Sequence, residues 1–518
     1  MAEVAVHPKT GGHEAHELSF VRKYVFSTDH KIIGIQYMIT SMLFLLSGFT
    51  MMLLMRWQLA FPGTPIPLVG QWLPETMAPG GIMLPEFYNQ LGAMHGTIMV
   101  FLGIVPLGVA AFGNFVLPLQ IGAKDMAFPF LNMLSYWIFL IGGVLMLSSF
   151  AMPGGAAQSG WTSYSPLADL APPGQTMWLI AMTFIITSSL FGAINFIVTT
   201  INLRAKGMTW LRLPFFVWCQ FVTAILLVLA FPVLQGGAIL QLMDRVAKAN
   251  FFIPANLIFG GAPVEQPGGG NPLLWQHLFW FLAHPEVYVL LLPEFGIVAE
   301  ILANGTRKPL FGYKELVISV CAIGVLSFIV WAHHMFLSGM KTGVTKFFTV
   351  TTMIISIPSV MVLTCFLLSF RGASIRYNTP MLFAIAFLPL FGIGGLTGLP
   401  APDLSVMADD LADEVADGQD RVQRRHRLLV DHRDVAAADR LHRTLGQLNQ
   451  VLVPEADGAP DDPPRRVGQE APQRQRGHRL AASGLADEPE DLTPVEGEAD
   501  TVDGDDAAGV GLEARAQL

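Results

Sequence analysis

Nine stretches of this chain stay apolar for the roughly 20 residues that a helix needs to cross the ~30 Å hydrocarbon layer of a bilayer. They lie at approximately 32–55, 90–117, 131–150, 177–202, 215–243, 275–302, 312–336, 348–370 and 381–399. Gly, Ser, Thr and Met are scattered through them, as in helices that pack against helices in lipid. The ten-residue alternating segments of a membrane barrel do not occur. The pattern predicts an all-α, polytopic membrane helix bundle with no internal repeat. The connections 57–89, 151–176 and 244–274 are long and rich in Pro and Gly, and are predicted to cap one side of it.

Lysine and arginine orient the bundle. Thirteen fall on the alternate segments that begin with the N-terminal one, and five, including Arg56 and Arg245, on the others. This bias predicts a cytoplasmic N-terminus. Residues 1–31 are polar, and the first apolar run is long enough to span rather than to be cleaved as a signal. The odd-numbered runs then point outward and the even-numbered ones inward.

Composition divides the chain in two. The net charge of −9 averages a slightly basic apolar part with a strongly acidic one. Residues 401–518 hold 26 acids, 13 arginines, no lysine and no aromatic residue, and no segment there could span. Three domains are expected: an N-terminal segment 1–31, a transmembrane domain 32–400, and the acidic tail 401–518. The tail's composition is what GC-rich coding DNA for an apolar segment gives when read out of frame. A natural acidic tail with a short helix near 428–453 is the alternative. Cys219, Cys321 and Cys365 sit inside apolar runs without paired spacing, which argues against a disulfide or zinc frame.

Ionisable residues inside spans are costly and mark candidate sites. His95 lies about five residues from the outer end of the second run, His284 about nine residues into the sixth, and His333 and His334 near the outer end of the seventh. Four imidazoles from three helices at one depth suit a buried copper or iron site. The plainer reading of His95 is a packed side chain bonded to a neighbouring carbonyl. Adjacent histidines on a helix do not share a face, so both can hold one ion only where the backbone turns them together. His284 and Tyr288, spaced i,i+4, share a face of the sixth run, with Pro285 distorting the turn between them. Glu286 falls near mid-membrane, where a desolvated carboxyl suits a proton carrier. His277 lies at the interfacial entry of the same run. Asp125, read alone, is a loop residue that pairs with Lys124, but Asn114 and Asn132 flank it and suggest a proton entry.

Together these strings resemble subunit I of the haem–copper terminal oxidases. The matching segments are Ser27-Thr-Asp-His-Lys31, Met94-His95-Gly96, Gly160-Trp161-Thr162, Gln276-His-Leu-Phe-Trp280, His284-Pro-Glu-Val-Tyr288, Trp331-Ala-His333-His334-Met-Phe336 and Gly394-Gly-Leu-Thr-Gly398, between about residues 20 and 400. The resemblance implies a catalytic subunit that reduces O2 to water and translocates protons, with two haems of the A type, one copper ion, a copper-bearing subunit II and cytochrome c as donor. No nucleic-acid partner is expected. It implies His95 as a ligand of the low-spin haem, and His284, His333 and His334 as copper ligands. Tyr288 would be cross-linked to His284, and Asp125, Asn114, Asn132 and Glu286 would form a proton pathway. Arg56, Trp161 and Trp280 would surround the haems.

The resemblance has gaps. A lysine expected four residues after Pro358 is Val362 here, and Glu294 stands where the family has glycine. Glu294, with Ser359 or Thr364, is a candidate substitute for that second proton path. The family's twelve spans exceed the nine seen here, and its later haem ligands and magnesium site find no counterpart in His426, His432, His442 or His478. The rival functions are a quinol oxidase, a nitric oxide reductase, which the tyrosine of the His-Pro-Glu-Val-Tyr string disfavours, and a helical transporter without redox chemistry.

Overall fold

A computed structural model describes residues 19–259, 261–264 and 268–397. The tail 401–518 and most of 1–31 lie outside them. The described chain is helical and carries one two-residue β-hairpin, Ile258–Phe259 against Ala262–Pro263. Nine long helical segments follow the nine apolar runs: α1 (His30–Ala60), α2 (Pro85–Ile121), α3 (Pro129–Ala151), α4 (Pro173–Asn202), α5 (Phe215–Ala247), α6 (Pro272–Thr306), α7 (Tyr313–Ser338), α8 (Thr342–Leu368) and α9 (Thr379–Thr397). Eight of them are long and apolar enough to cross a membrane by length and composition. The remaining one, α6, has 35 residues, which is about 52 Å of helix. It carries three acids along that length, Glu286, Glu294 and Glu300.

Capping explains where the helices begin. Asp29 accepts the N–H groups of Lys31 and Ile32 at the head of α1, and Asn271 accepts that of Leu273 at the head of α6. Proline opens α2, α3, α4 and α6, where a missing N–H costs nothing. Consecutive helices pack as neighbours from α3 to α6, and α6 also meets the end of α7 and α9. The core runs through α2, α4, α5 and α6, with Trp178, Phe196, Phe216, Phe231, Trp275 and Phe295 fully enclosed. Leu43, Leu46 and Leu53 of α1 and Ile357 and Val360 of α8 are exposed, as expected of a surface solvated by lipid.

Two helices depart from the regular form that their apolar runs predict. Between Ile98 and Ala111, α2 is wound as two π-helical turns around Val105. The last part of α7 loosens into 3₁₀ turns, Ser327–Ile329 and Trp331–Ser338, with Val330 at φ −125°, ψ 0° and Met335 at φ −122°, ψ 17°. Such irregular turns cluster at functional sites.

The long connections pack at one end of the bundle. Arg245 binds the carbonyls of Ala168, Asp169, Ala171 and Pro172, and Asp244 takes the N–H groups of Phe251 and Phe252 at 2.9 Å each. Gln90 holds the 154–156 turn through the Gly154 carbonyl and the Ala156 N–H. The predicted cap is a set of loops tied to helix ends by buried and half-buried polar side chains.

Candidate metal centre

The loosened end of α7 solves the problem posed by adjacent histidines. His333 and His334 both direct Nε2 to one point, 3.1 Å apart, and His334 Nε2 lies 3.2 Å from Nδ1 of His284 on α6. The ligand atoms of all three residues fall within 4.8 Å of one another. Imidazoles bound to one ion at 2.0 Å with tetrahedral angles would have nitrogens about 3.3 Å apart. The donor set therefore fits a first-row metal ion.

Neighbours fix the rings. Nδ1 of His333 is 2.9 Å from Oγ1 of Thr352, and that hydroxyl donates to the Phe348 carbonyl at 2.6 Å. With its proton committed, the hydroxyl can only accept, so His333 carries its hydrogen on Nδ1 and turns the Nε2 lone pair inward. His334 stacks on Trp280, with centroids 3.9 Å apart and planes within 11°. Trp280 in turn meets Trp161 edge-on at 5.9 Å and donates to the Tyr164 hydroxyl. Trp275 donates to the Thr162 carbonyl, which anchors the Gly160-Trp161-Thr162 turn beside α6. The second nitrogen of His284, Nε2, is buried without a partner, and the Tyr288 ring lies 5.0 Å from the imidazole.

The other candidates separate into two groups. His95 on α2 gives Nδ1 to the Gly48 carbonyl at 2.9 Å, so the plainer reading of this residue is met on one nitrogen while Nε2 stays available. Gly48 packs against Met99, whose Sδ would lie 2.8 Å from an added Cβ and would have to shift. Gly96 is likewise packed on Trp161, which joins His95's turn to the cap. Arg56 is exposed in the last turns of α1. His277 accepts from Trp331 Nε1 at 3.3 Å.

A polar file occupies the opposite end. Asn132 Nδ2 donates to Asn114 Oδ1 at 2.7 Å, both side chains being buried. Asp125 accepts the Met126 N–H at 2.7 Å rather than pairing with Lys124, and burial holds its carboxyl above the ordinary range. Beyond the asparagines, Tyr37 shares its hydroxyl with Ser135 at 3.0 Å and Ser188 at 3.3 Å. These residues and Ser189 line a cavity of about 30 Å³, room for one or two waters. Sequence reading missed Tyr37, Ser135 and Ser188; the only signal was hydroxyls recurring in apolar runs. Glu286 is 3% exposed and its Oε1 has no partner, so no local hydrogen bond neutralises that oxygen. Val362 is fully buried, and Ser359 returns its hydroxyl to the Ile355 carbonyl.

Comparison with known proteins identifies the family. The family model described as "Cytochrome C and Quinol oxidase polypeptide I" matches residues 32–407. Cytochrome c oxidase subunit 1 of Synechocystis sp. is 43% identical over 377 residues, 73% of this chain and 63% of its own length. The alternative cytochrome c oxidase subunit 1 of Bradyrhizobium diazoefficiens is 41% identical over 74% of the chain and 63% of its own. Quinol oxidase subunit 1 of Bacillus subtilis is 41% identical over 73% of the chain and 54% of its own. The chain thus spans less than two thirds of the length of these relatives.

Proposed function

The chain belongs to the cytochrome c and quinol oxidase polypeptide I family, and from that premise we propose that it is the catalytic subunit of a terminal oxidase that reduces O2 to water and translocates protons. The observation that carries this reading is the convergence of His284, His333 and His334 on one point, with Tyr288 beside His284. Three imidazoles would hold one copper ion, and His95 would help hold the low-spin haem. When bound, the haems and copper would supply the redox chemistry of electron transfer and oxygen reduction.

The chain's own residues supply geometry and protons. Thr352 fixes the tautomer of His333, and Trp280 fixes the plane of His334. Tyr288 is assigned a covalent link to His284, supported by the 5.0 Å ring separation and the unpartnered Nε2. The link would form with loss of one hydrogen from each ring to O2 as oxidant, and the Tyr288 hydroxyl would then be a proton donor beside the centre. Asp125 takes protons from the cytoplasmic side; Asn132, Asn114 and the hydroxyl-lined cavity carry them toward Glu286. Arg56 and Trp161 belong to the haem surroundings, the haems being of the A type.

Cytochrome c is the proposed donor, delivered through a copper-bearing subunit II, in a bacterial inner membrane with the N-terminus cytoplasmic. The Bacillus subtilis relative keeps quinol as a second reading. Oxygen consumption by the purified complex, driven by reduced cytochrome c or by a quinol, decides between them. Metal analysis tests the centre: loss of copper in His333→Ala is expected, and iron with no copper in the parent would favour a nitric oxide reductase instead.

A further inference from the structure

The acid two turns along α6 from Glu286 has surroundings of its own. Glu294 is half-buried, and its carboxyl faces Gly108 in the π-helical stretch of α2. A Cβ at Gly108 would stand 3.4 Å from Glu294 Oε1 and 3.7 Å from Pro293 Cβ. The same glycine offers its carbonyl to Gln220 of α5, whose Nε2 donates at 2.9 Å. Gln220 is fully buried, and its Oε1 has no partner. That free acceptor lies 3.4 Å from where a Cβ on Gly113 would sit, beside Asn114. Asn132 Oδ1, bonded to the same asparagine through its amide nitrogen, is also buried and unpartnered. One orphaned amide oxygen thus belongs to the asparagine pair and a second to Gln220, whose amide reaches along α2 from Gly113 to the Gly108 carbonyl beside Glu294. A buried polar atom without a partner is costly unless water reaches it. The expected helpers Ser359 and Thr364 are on α8, whereas the contacts of Glu294 point to α2 and, through Gly108, to α5.

We propose that Glu294 is a second proton-accepting carboxyl of the membrane interior, reached from the Asn114–Asn132 pair past the Gln220 amide. A proton that enters from water at the Asp125 end converts the Glu294 carboxylate to the acid and later leaves the same oxygen; no electron moves and no other bond changes. Gln220 is a positioning residue: it holds Gly108 against the carboxyl and presents its oxygen to the water that carries the proton. Only the use of this proton in turnover rests on the oxidase reading above.

Infrared difference spectroscopy on the full chain, in its complex with the other oxidase subunits in lipid nanodiscs, tests this directly. Glu294→Gln is expected to remove one protonated-carboxyl band. Gln220→Met is expected to keep that band and slow its H/D exchange about tenfold, the equivalent of one lost hydrogen bond of about 1.4 kcal/mol. No band lost in Glu294→Gln, or unchanged exchange in Gln220→Met, overturns the proposal. If Gln220→Met does not assemble, Gly108→Ala decides: the added methyl shifts the Glu294 band if the carboxyl sits where proposed, and an unshifted band overturns it. None of these readings depends on oxygen consumption, so failure of the oxidase assignment would be seen separately, as missing copper or haem.

Discussion

Thr352 illustrates how much of the metal centre rests on a residue that is not a ligand. Its hydroxyl accepts from His333 while donating to Phe348, and this pair of bonds chooses the nitrogen that faces the centre. Thr352→Val keeps the shape and removes the acceptor. Copper affinity, measured by chelator competition, should fall about 10- to 100-fold with the helix intact. Tyr288 acts at the other edge. Joining it to His284 would remove two hydrogen atoms from the pair, a loss that mass spectrometry of the digested protein reads directly. Tyr288→Phe should abolish that mass change and lower oxygen reduction about a hundredfold or more, as for a lost proton donor. A digest with both side chains at full mass would exclude the link.

At the level of elements, the apolar runs matched the helices well because a membrane leaves the backbone almost no alternative to a helix. The finer winding was not legible. Nothing in the run 312–336 shows that α7 relaxes to 3₁₀ turns before its histidines, because that winding is set by packing on α6 and α8 rather than by local propensity. The π-helical turns of α2 were equally hidden, although Pro106 was a cue: a proline inside a helix frees a carbonyl and distorts the turn. The histidines and acids were legible because charge in a span is rare, whereas Tyr37, Gln220 and Thr352 were overlooked as ordinary polar residues. Glycine placement gives a test at this scale. A Cβ on Gly174, at the start of α4, would lie 2.0 Å from the Gly155 carbonyl oxygen, backbone against backbone. Gly174→Ala should cost about 1–3 kcal/mol or more. Gly236→Ala on α5 meets nothing within 4 Å and should be neutral or slightly stabilising. Thermal unfolding midpoints of the two variants make the comparison.

Over the whole described chain, the polar groups gather at two ends: the asparagines and hydroxyls behind Asp125, and the three histidines under the cap. The cap reaches that centre through Trp275, Trp280 and Tyr164, so the integrity of its loops bears on the ligand geometry. Its weakest point under changing pH is Asp169. This carboxyl is pushed up to about 7, first by burial and then by the neighbouring Asp244, with Arg245 opposing both. One of its oxygens, Oδ1, is buried without a partner, while the other meets Ser165. In an unfolded chain the same group titrates near 3.9. Between about pH 4 and 7 the folded protein therefore binds more protons than the unfolded one, and stability falls as pH rises through that window. Below it both states are protonated, and above it the cost of the buried charge is complete. Asp169→Asn keeps the shape and removes the titration, so its unfolding midpoint should lose this slope and exceed the parent's above pH 7. Parallel pH profiles of the two proteins, with the same downward slope between pH 4 and 7, would show that the cap carries no such charge.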